Sequence, residues 1–249
     1  MKSILVQFDT DVQPSVFDRV VAVDSGVEQL FAYGGVTPET VESLVHGAIF
    51  TRGVHDLSST AIFVGGSDVA AGEQVFAAVQ EAFFGPMRVS VMMDSNGSNT
   101  TAAAAVLRAR RHVTLAGSVA VVLGGTGPVG QRAAELLALE GASVRVGSRS
   151  LERAAATCES IATRVEGAEL QPVATGDSDS VAAALAGAVT VIAAGATGVQ
   201  LISAETLAAS DLQVAIDLNA VPPLGIEGVE MTDKAVETDG VVRYGAIGV

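Results

Sequence analysis

Apolar residues in this chain gather into short runs that alternate with longer stretches of helical spacing. Ser3 to Phe8 is a strand-like run ending in Asp9-Thr10-Asp11, and Pro14 then precedes a helical tract from Ser15 to Val23. Thr37 followed by Pro38 marks a helix start, as N-cap and first helical residue, leading through Val41, Leu44 and Val45 toward Gly47. Ala48 to Thr51 reads as a short strand. Ala61 to Val64 is a further strand, and Val69 to Phe84 shows helical spacing at Val75, Phe76, Val79 and Phe83 before Gly85-Pro86 ends it. Arg88 to Met93 is the next strand, and it opens into a polar stretch, Asp94 to Thr101, ahead of the helical tract Ala102 to Arg110.

The second half repeats the alternation. Strands are predicted at Ser118 to Leu123, Ser143 to Val146, Leu170 to Val173, Val189 to Ala193 and Gln213 to Leu218. Helices are predicted at Val129 to Leu139, Leu151 to Val165, Ser180 to Leu185 and Ala204 to Ala209. Strands that alternate with helices throughout predict mainly parallel sheets covered on both faces. The fold class is therefore α/β: an N-terminal α/β domain, residues 1–111, and a Rossmann-type doubly wound domain, residues 112–249, with a cleft between them.

Composition narrows the function classes. With 49% hydrophobic and 17% charged residues in 249, the chain is expected to fold as a compact globular protein. A net charge of -14, without any Lys/Arg run, argues against nucleic-acid or anionic-membrane partners. No stretch reaches the roughly 18 apolar residues of a membrane span, and Cys158 is alone, so a soluble cytoplasmic protein is expected. Lysine occurs only at positions 2 and 234, so an anion site must rest on Arg side chains, backbone N–H groups or helix N-termini.

The clearest motif lies between the first strand and first helix of the second half, where Gly125, Gly127 and Gly130 satisfy G-x-G-x-x-G. Gly125 is expected to make the tight turn, Gly127 to let the backbone approach a pyrophosphate, and Gly130 to bring helix and strand together. Thr126, Pro128 and Val129 complete this phosphate loop, with the positive end of the helix facing the ligand. The second strand ends in Gly147-Ser148-Arg149-Ser150, where NAD sites carry an acidic residue for the ribose 2′-OH. Hydroxyls flanking an Arg suit a 2′-phosphate instead, so NADP is favoured over NAD.

Seven of the eight residues from Asp94 to Thr101 carry hydrogen-bonding side chains, Gly97 being the exception, and they follow the carboxyl end of a strand, where open α/β sheets bind ligands. His46, His55 and His112 follow no metal-ligand spacing, no metal-binding carboxylate cluster or G-x-S-x-G elbow is evident, and no metal is expected. Nor does a His or Lys stand out as the proton shuttle that alcohol oxidation requires.

The phrases QFDTDVQPSVFD, VTPETV, TRGVHDLSSTAIFVGGSDVAAGEQVF, FFGPMRVSVMMDSNGSNTTAAAA, GGTGPVG, IDLNAVPPLGIEGVE and TDK occur in that order over nearly the whole chain. Together they closely resemble the NADP-dependent methylene-tetrahydromethanopterin and methylene-tetrahydrofolate dehydrogenase family of one-carbon metabolism. The resemblance implies oxidation of the methylene group between N5 and N10 of a reduced pterin, tetrahydromethanopterin or tetrahydrofolate, to the methenyl form, with hydride passing to NADP⁺. Nitrogen lone pairs push the hydride out and leave an amidinium-like cation, which accounts for the missing acid and base.

The resemblance further implies that the cleft takes the pterin. Asp9, Phe17, Ser95, Asn96, Ser98 and Thr100 would lie on the substrate side, with Phe17 as a wall for the ring. Asp94 and Asn99 would be hydrogen-bond partners there, and Thr101 would stand near the reacting carbon. On the cofactor side it implies Gly125 to Gly130, Ser148, Arg149 and Ser150, with Asn219 in a stiff loop running to Gly225 beside the nicotinamide. A related folate dehydrogenase uses a catalytic Lys for cyclohydrolase activity, which this chain is expected to lack. Family members continue past the GAIG-like segment into helical sequence with a basic residue thought to approach the substrate, whereas this sequence stops at Val249, so a substitute side chain, altered activity or a shortened form of the sequence is expected. The chain is expected to form a homo-oligomer. Two other readings fit the same residues, an NADPH-dependent dihydropterin reductase and a non-catalytic NADP-binding sensor.

Overall fold

The apolar runs pair as parallel strands in two sheets, as the computed structural model of residues 1–249 shows. By internal contacts the chain divides into two units, Met1–Asn99 and Thr100–Val249.

In the first unit, β1 (Ile4–Asp9), β2 (Gln29–Tyr33), β3 (Thr60–Gly65) and β4 (Ser90–Met93) form an all-parallel sheet in the order β2-β1-β3-β4. Helices α1 (Val16–Asp24), α2 (Pro38–Phe50) and α3 (Val69–Glu81) connect them. The core joins Phe8, Ile62 and Val64 of the sheet to Val41, Val45 and Ile49 of α2 and to Val75 and Val79 of α3. The strand expected at Ala48 to Thr51 is not formed. Val41, Val45 and Ile49 recur every four residues, so burial of that stripe carries α2 straight through Gly47 to Phe50. Thr37 and Thr40 make a capping box at its start, the Thr37 N–H donating to Thr40 Oγ1 at 3.0 Å. Strand β2 went unpredicted because Leu30, Phe31, Ala32 and Tyr33 offer no alternation of apolar and polar positions.

In the second unit, β5 (Val119–Leu123), β6 (Ser143–Ser148), β7 (Leu170–Ala174), β8 (Thr190–Ala193), β9 (Val214–Asp217), β10 (Lys234–Thr238) and β11 (Val241–Tyr244) form one sheet in the order β10-β11-β9-β8-β5-β6-β7. All pairs are parallel except β10 with β11. One face is covered by α4 (Ser98–Ala109), α5 (Pro128–Leu139) and α6 (Leu151–Ala162), the other by α7 (Ser178–Leu185) and α8 (Ala204–Ala208). The β10–β11 hairpin also escaped the sequence reading, although Asp239 and Gly240, both at positive φ (53° and 78°), form the Asp-Gly turn that signals one. At the outer margins, β7 carries Pro172, and β10 breaks register between Lys234 and Val236, with Ala235 at φ 57°.

The sequence boundary after residue 111 and the contact division after Asn99 differ by helix α4. The reason lies in its small residues: Ala102, Ala105, Val106 and Ala109 are buried in the core of the second unit.

Candidate functional site

Strand β5 is where the chain reverses direction across the second sheet, since β6 continues on one side and β8 on the other. Open sheets bind ligands beyond the carboxyl ends of strands at such a point. Here β5 delivers Gly124 to Gly130. Gly124, with φ 70°, makes the turn that the motif had suggested for Gly125. A Cβ at Gly130 would stand 2.4 Å from the Gly124 carbonyl oxygen, so only glycine lets α5 start this close to the strand. At Gly127 the nearest protein atom to such a Cβ is 3.5 Å away, so packing does not demand glycine there. Its open side is left to a ligand. Gly127 N-caps α5, Pro128 takes the first helical position, and Gln131 Nε2 donates to the Thr126 carbonyl at 2.9 Å, which fixes the loop. The glycine cradle and positive helix end fit a pyrophosphate.

This loop lines a cavity of about 860 Å³ that extends over Ser148, Arg149 and Ser150 at the end of β6. Ser148 Oγ accepts from the Ser150 N–H (3.2 Å), and Ser150 Oγ caps α6 by accepting from the Arg153 N–H (3.3 Å). Arg149 and Arg153 both line the cavity and are exposed, and neither guanidinium is held by a protein acceptor. Arg153 was missed in the sequence. Its signal was its position four residues after Arg149, at the start of α6.

The far wall of the cavity is the segment after β8, including Gly195, Val199, Gln200 and Leu201. Asn219 is buried. Its Nδ2 donates to the Pro223 carbonyl (3.2 Å), and its Oδ1 accepts from the Val221 N–H (3.0 Å), so both polar ends of its side chain hold the loop that was expected beside the cofactor.

In the first unit, Asp9 is the last residue of β1 and Asp94 directly follows β4, both at the carboxyl end of the sheet. Asp9 is fully buried: Oδ1 accepts from the Asp11 N–H (2.9 Å), and Oδ2 from the Ser15 N–H (3.0 Å) and Gln7 Nε2 (3.2 Å). It shapes the turn into α1. Asp94 Oδ1 accepts from the Asn99 N–H at 2.8 Å, and Asn99 Nδ2 donates to the Met93 carbonyl at 2.7 Å. Ser95 and Ser98, expected to face substrate, are turned inward and fully buried; the Ser98 hydroxyl donates to the Ser95 carbonyl at 2.9 Å. Asn96 and Thr100 are exposed and Thr101 is half-buried. Asn96 adopts φ 54°, in the left-handed region that Asn tolerates better than most residues.

Phe17 stands 77% exposed on α1, so it is not a core residue. The next residue is Asp18, which the sequence reading did not single out. Burial pushes its carboxyl above the ordinary carboxylate range; the Ser15 hydroxyl opposes the shift, and Asp9 and Asp94 add to it. The first unit thus presents an acidic, partly desolvated edge, the second a cavity with uncommitted cations.

A family model described as "Methylene-tetrahydromethanopterin dehydrogenase, N-terminal" matches residues 16–96. Over 251 residues the chain is 49% identical to the "Bifunctional protein MdtA" of Methylorubrum extorquens, spanning all of this chain and 87% of that protein. Over 258 residues it is 36% identical to the "NAD(P)-dependent methylenetetrahydromethanopterin dehydrogenase" of the same organism, spanning all of this chain and 86% of that one. Among solved structures, the ligand-free 5-ketofructose reductase of Gluconobacter sp. strain CHM43 aligns over the whole chain and 88% of its own length, with a TM-score of 0.52 and 15% identity, a likeness of fold alone. The Rossmann-type second unit and the identity over the full chain lead to one conclusion: this chain belongs to the methylene-tetrahydromethanopterin dehydrogenase family.

Proposed function

We propose that the chain oxidises the methylene carbon between N5 and N10 of methylene-tetrahydromethanopterin or methylene-tetrahydrofolate to the methenyl form, with NADP⁺ as hydride acceptor. The observation that carries this reading is the cavity in which a glycine cradle meets two guanidinium groups that no protein acceptor holds. In this reading Gly124 to Gly130 receive the pyrophosphate, and Arg149 and Arg153 pair with the 2′-phosphate that distinguishes NADP from NAD. When bound, the nicotinamide supplies a carbon that accepts a hydride.

The C–H bond of the methylene group breaks, both its electrons leave with the hydrogen, and a nitrogen lone pair closes the C=N bond of the resulting cation. No proton is lost at that carbon, so the protein needs no general acid or base there. Its task is positioning and electrostatics. The partly desolvated carboxylates at the edge of the first sheet, Asp18 and Asp94, suit a substrate that becomes more positive as it reacts. Phe17 offers an apolar face to the pterin ring, Asn96 and Thr100 offer exposed polar groups, and Asn99 and Thr101 complete the reacting end. With no Lys in either site, cyclohydrolase activity is absent from the proposal.

The test supplies the purified chain with each methylene-pterin and with NADP⁺ or NAD⁺ in turn. Reduced nicotinamide and methenyl-pterin absorbance should rise together, and faster with NADP⁺. Absence of turnover with both carriers would refute the proposal. NADPH consumption with a dihydropterin alone would replace it by a reductase.

A further inference from the structure

Asp217, the last residue of β9, is 1% exposed and makes no ion pair. Burying a carboxylate without a counter-ion costs several kcal/mol unless hydrogen bonds replace its hydration. Here backbone amides do so. Oδ1 accepts from the Asn219 N–H at 3.0 Å and Oδ2 from the Ile226 N–H at 2.8 Å, and the Gly225 amide also favours the charged form. One side chain therefore closes the loop from Asn219 to Ile226.

The grip extends further. The Gly225 carbonyl accepts from the N–H groups of Leu201 (2.7 Å) and Ile202 (3.0 Å), and the Glu227 N–H donates to the Ile202 carbonyl at 3.0 Å. Leu201 lies directly over Gly195, where a Cβ would meet its Cδ1 at 2.7 Å, and both residues line the cavity. A route of backbone hydrogen bonds thus runs from a buried charge to the wall of the cofactor site. An amide cannot replace that charge, because its NH₂ end would face a backbone donor.

We infer that Asp217 is a positioning residue that sets the Val199–Leu201 wall of the dinucleotide cavity through the backbone of Gly225. The inference rests on reading that cavity as the dinucleotide site, and it holds for NADP⁺ and NAD⁺ alike.

The experiment compares the full-length wild type, Asp217→Asn and Leu115→Ala, which removes core volume away from the cavity. Calorimetry with NADP⁺ and NAD⁺ gives affinity, and hydrogen exchange gives protection at the Leu201 and Ile202 amides. Asp217→Asn should weaken dinucleotide binding about tenfold or more, as loss of hydrogen bonds to a charged acceptor implies, and should speed exchange at both amides. Leu115→Ala should lower the melting temperature without either change.

A folded Asp217→Asn protein with wild-type affinity and protection would overturn the inference, as would Leu115→Ala weakening binding equally. Should Asp217→Asn fail to fold, Gly225→Ala takes its place, since its Cβ would stand 2.8 Å from Asp217 Oδ1 and displace the carboxylate from the other side. Unchanged affinity and exchange in that variant would be equally fatal. A wild type that binds neither dinucleotide refutes the cofactor reading, and the exchange rates still decide whether Asp217 holds the wall.

Discussion

The carboxyl ends of the two sheets use their polar residues in opposite ways. In the first unit the polar stretch after β4 spends much of its hydrogen-bonding capacity on itself: Asp94 on the Asn99 amide, Asn99 on the Met93 carbonyl, Ser98 on the Ser95 carbonyl. In the second unit Arg149 and Arg153 remain without protein acceptors beside a loop whose glycines leave room for a ligand. Abundance of polar side chains in a loop is therefore a weaker sign of ligand contact than a few groups that the fold leaves unsatisfied.

The comparison is broken most severely by closing the cradle. Gly130→Ala forces a methyl group to within 2.4 Å of the Gly124 carbonyl oxygen, and overpacking of about 3 kcal/mol would cost roughly a hundredfold in dinucleotide affinity. Calorimetry with NADP⁺ checks this; affinity within a few-fold of wild type would mean that the cradle does not hold the pyrophosphate.

Next in size are the arginines. Arg149→Ala and Arg153→Ala should each weaken NADP⁺ by about tenfold and leave NAD⁺ unchanged, since a charge-assisted hydrogen bond contributes roughly 1.5 kcal/mol. Equal losses for both cofactors would assign the guanidinium groups to something other than the 2′-phosphate.

Smaller still is the effect of Ser98→Ala. It removes one buried hydroxyl hydrogen bond, so urea unfolding should report a loss of about 1 kcal/mol, with kcat/KM close to wild type. A large fall in kcat/KM with little loss of stability would return Ser98 to the substrate side and weaken the contrast between the two edges.

The smallest effect is a dependence on pH. Burial holds the Asp217 carboxyl above its ordinary value of 3.8, against the pull of the Asn219, Ile226 and Gly225 amides. A raised folded-state value favours the protonated form in the native state. Its contribution is fully present below the unfolded value and is lost as pH rises through the folded one. The melting temperature of wild type relative to Asp217→Asn should therefore rise as pH falls through that window. A difference that stays flat, or reverses, would show that Asp217 does not titrate as its burial requires.

Most strands and helices were legible because parallel strands buried on both faces read as unbroken apolar runs, and β5, β8 and β9 are of that kind. Strand β2 lies at a margin with Phe31 and Tyr33 exposed and left no periodic trace. The glycine-rich turn after β5 and the placement of Arg149 at the end of β6 were legible because they depend on local chain geometry. Asp18 and Asp217 were not, since their character comes from burial and from amides distant in sequence. Ser95 and Ser98 were misleading for the same reason: the sequence shows a hydroxyl but not which way the fold turns it.

The margins of the seven-stranded sheet carry a consequence for assembly. Pro172 removes a donor from the outer strand on one side, and the broken register at Lys234 with left-handed Ala235 bends the outer strand on the other. Neither margin offers the straight, continuous row of donors and acceptors on which a further strand could be laid down. The second unit is in this sense finished at both ends, protected against runaway growth by strand addition while its cavity stays open.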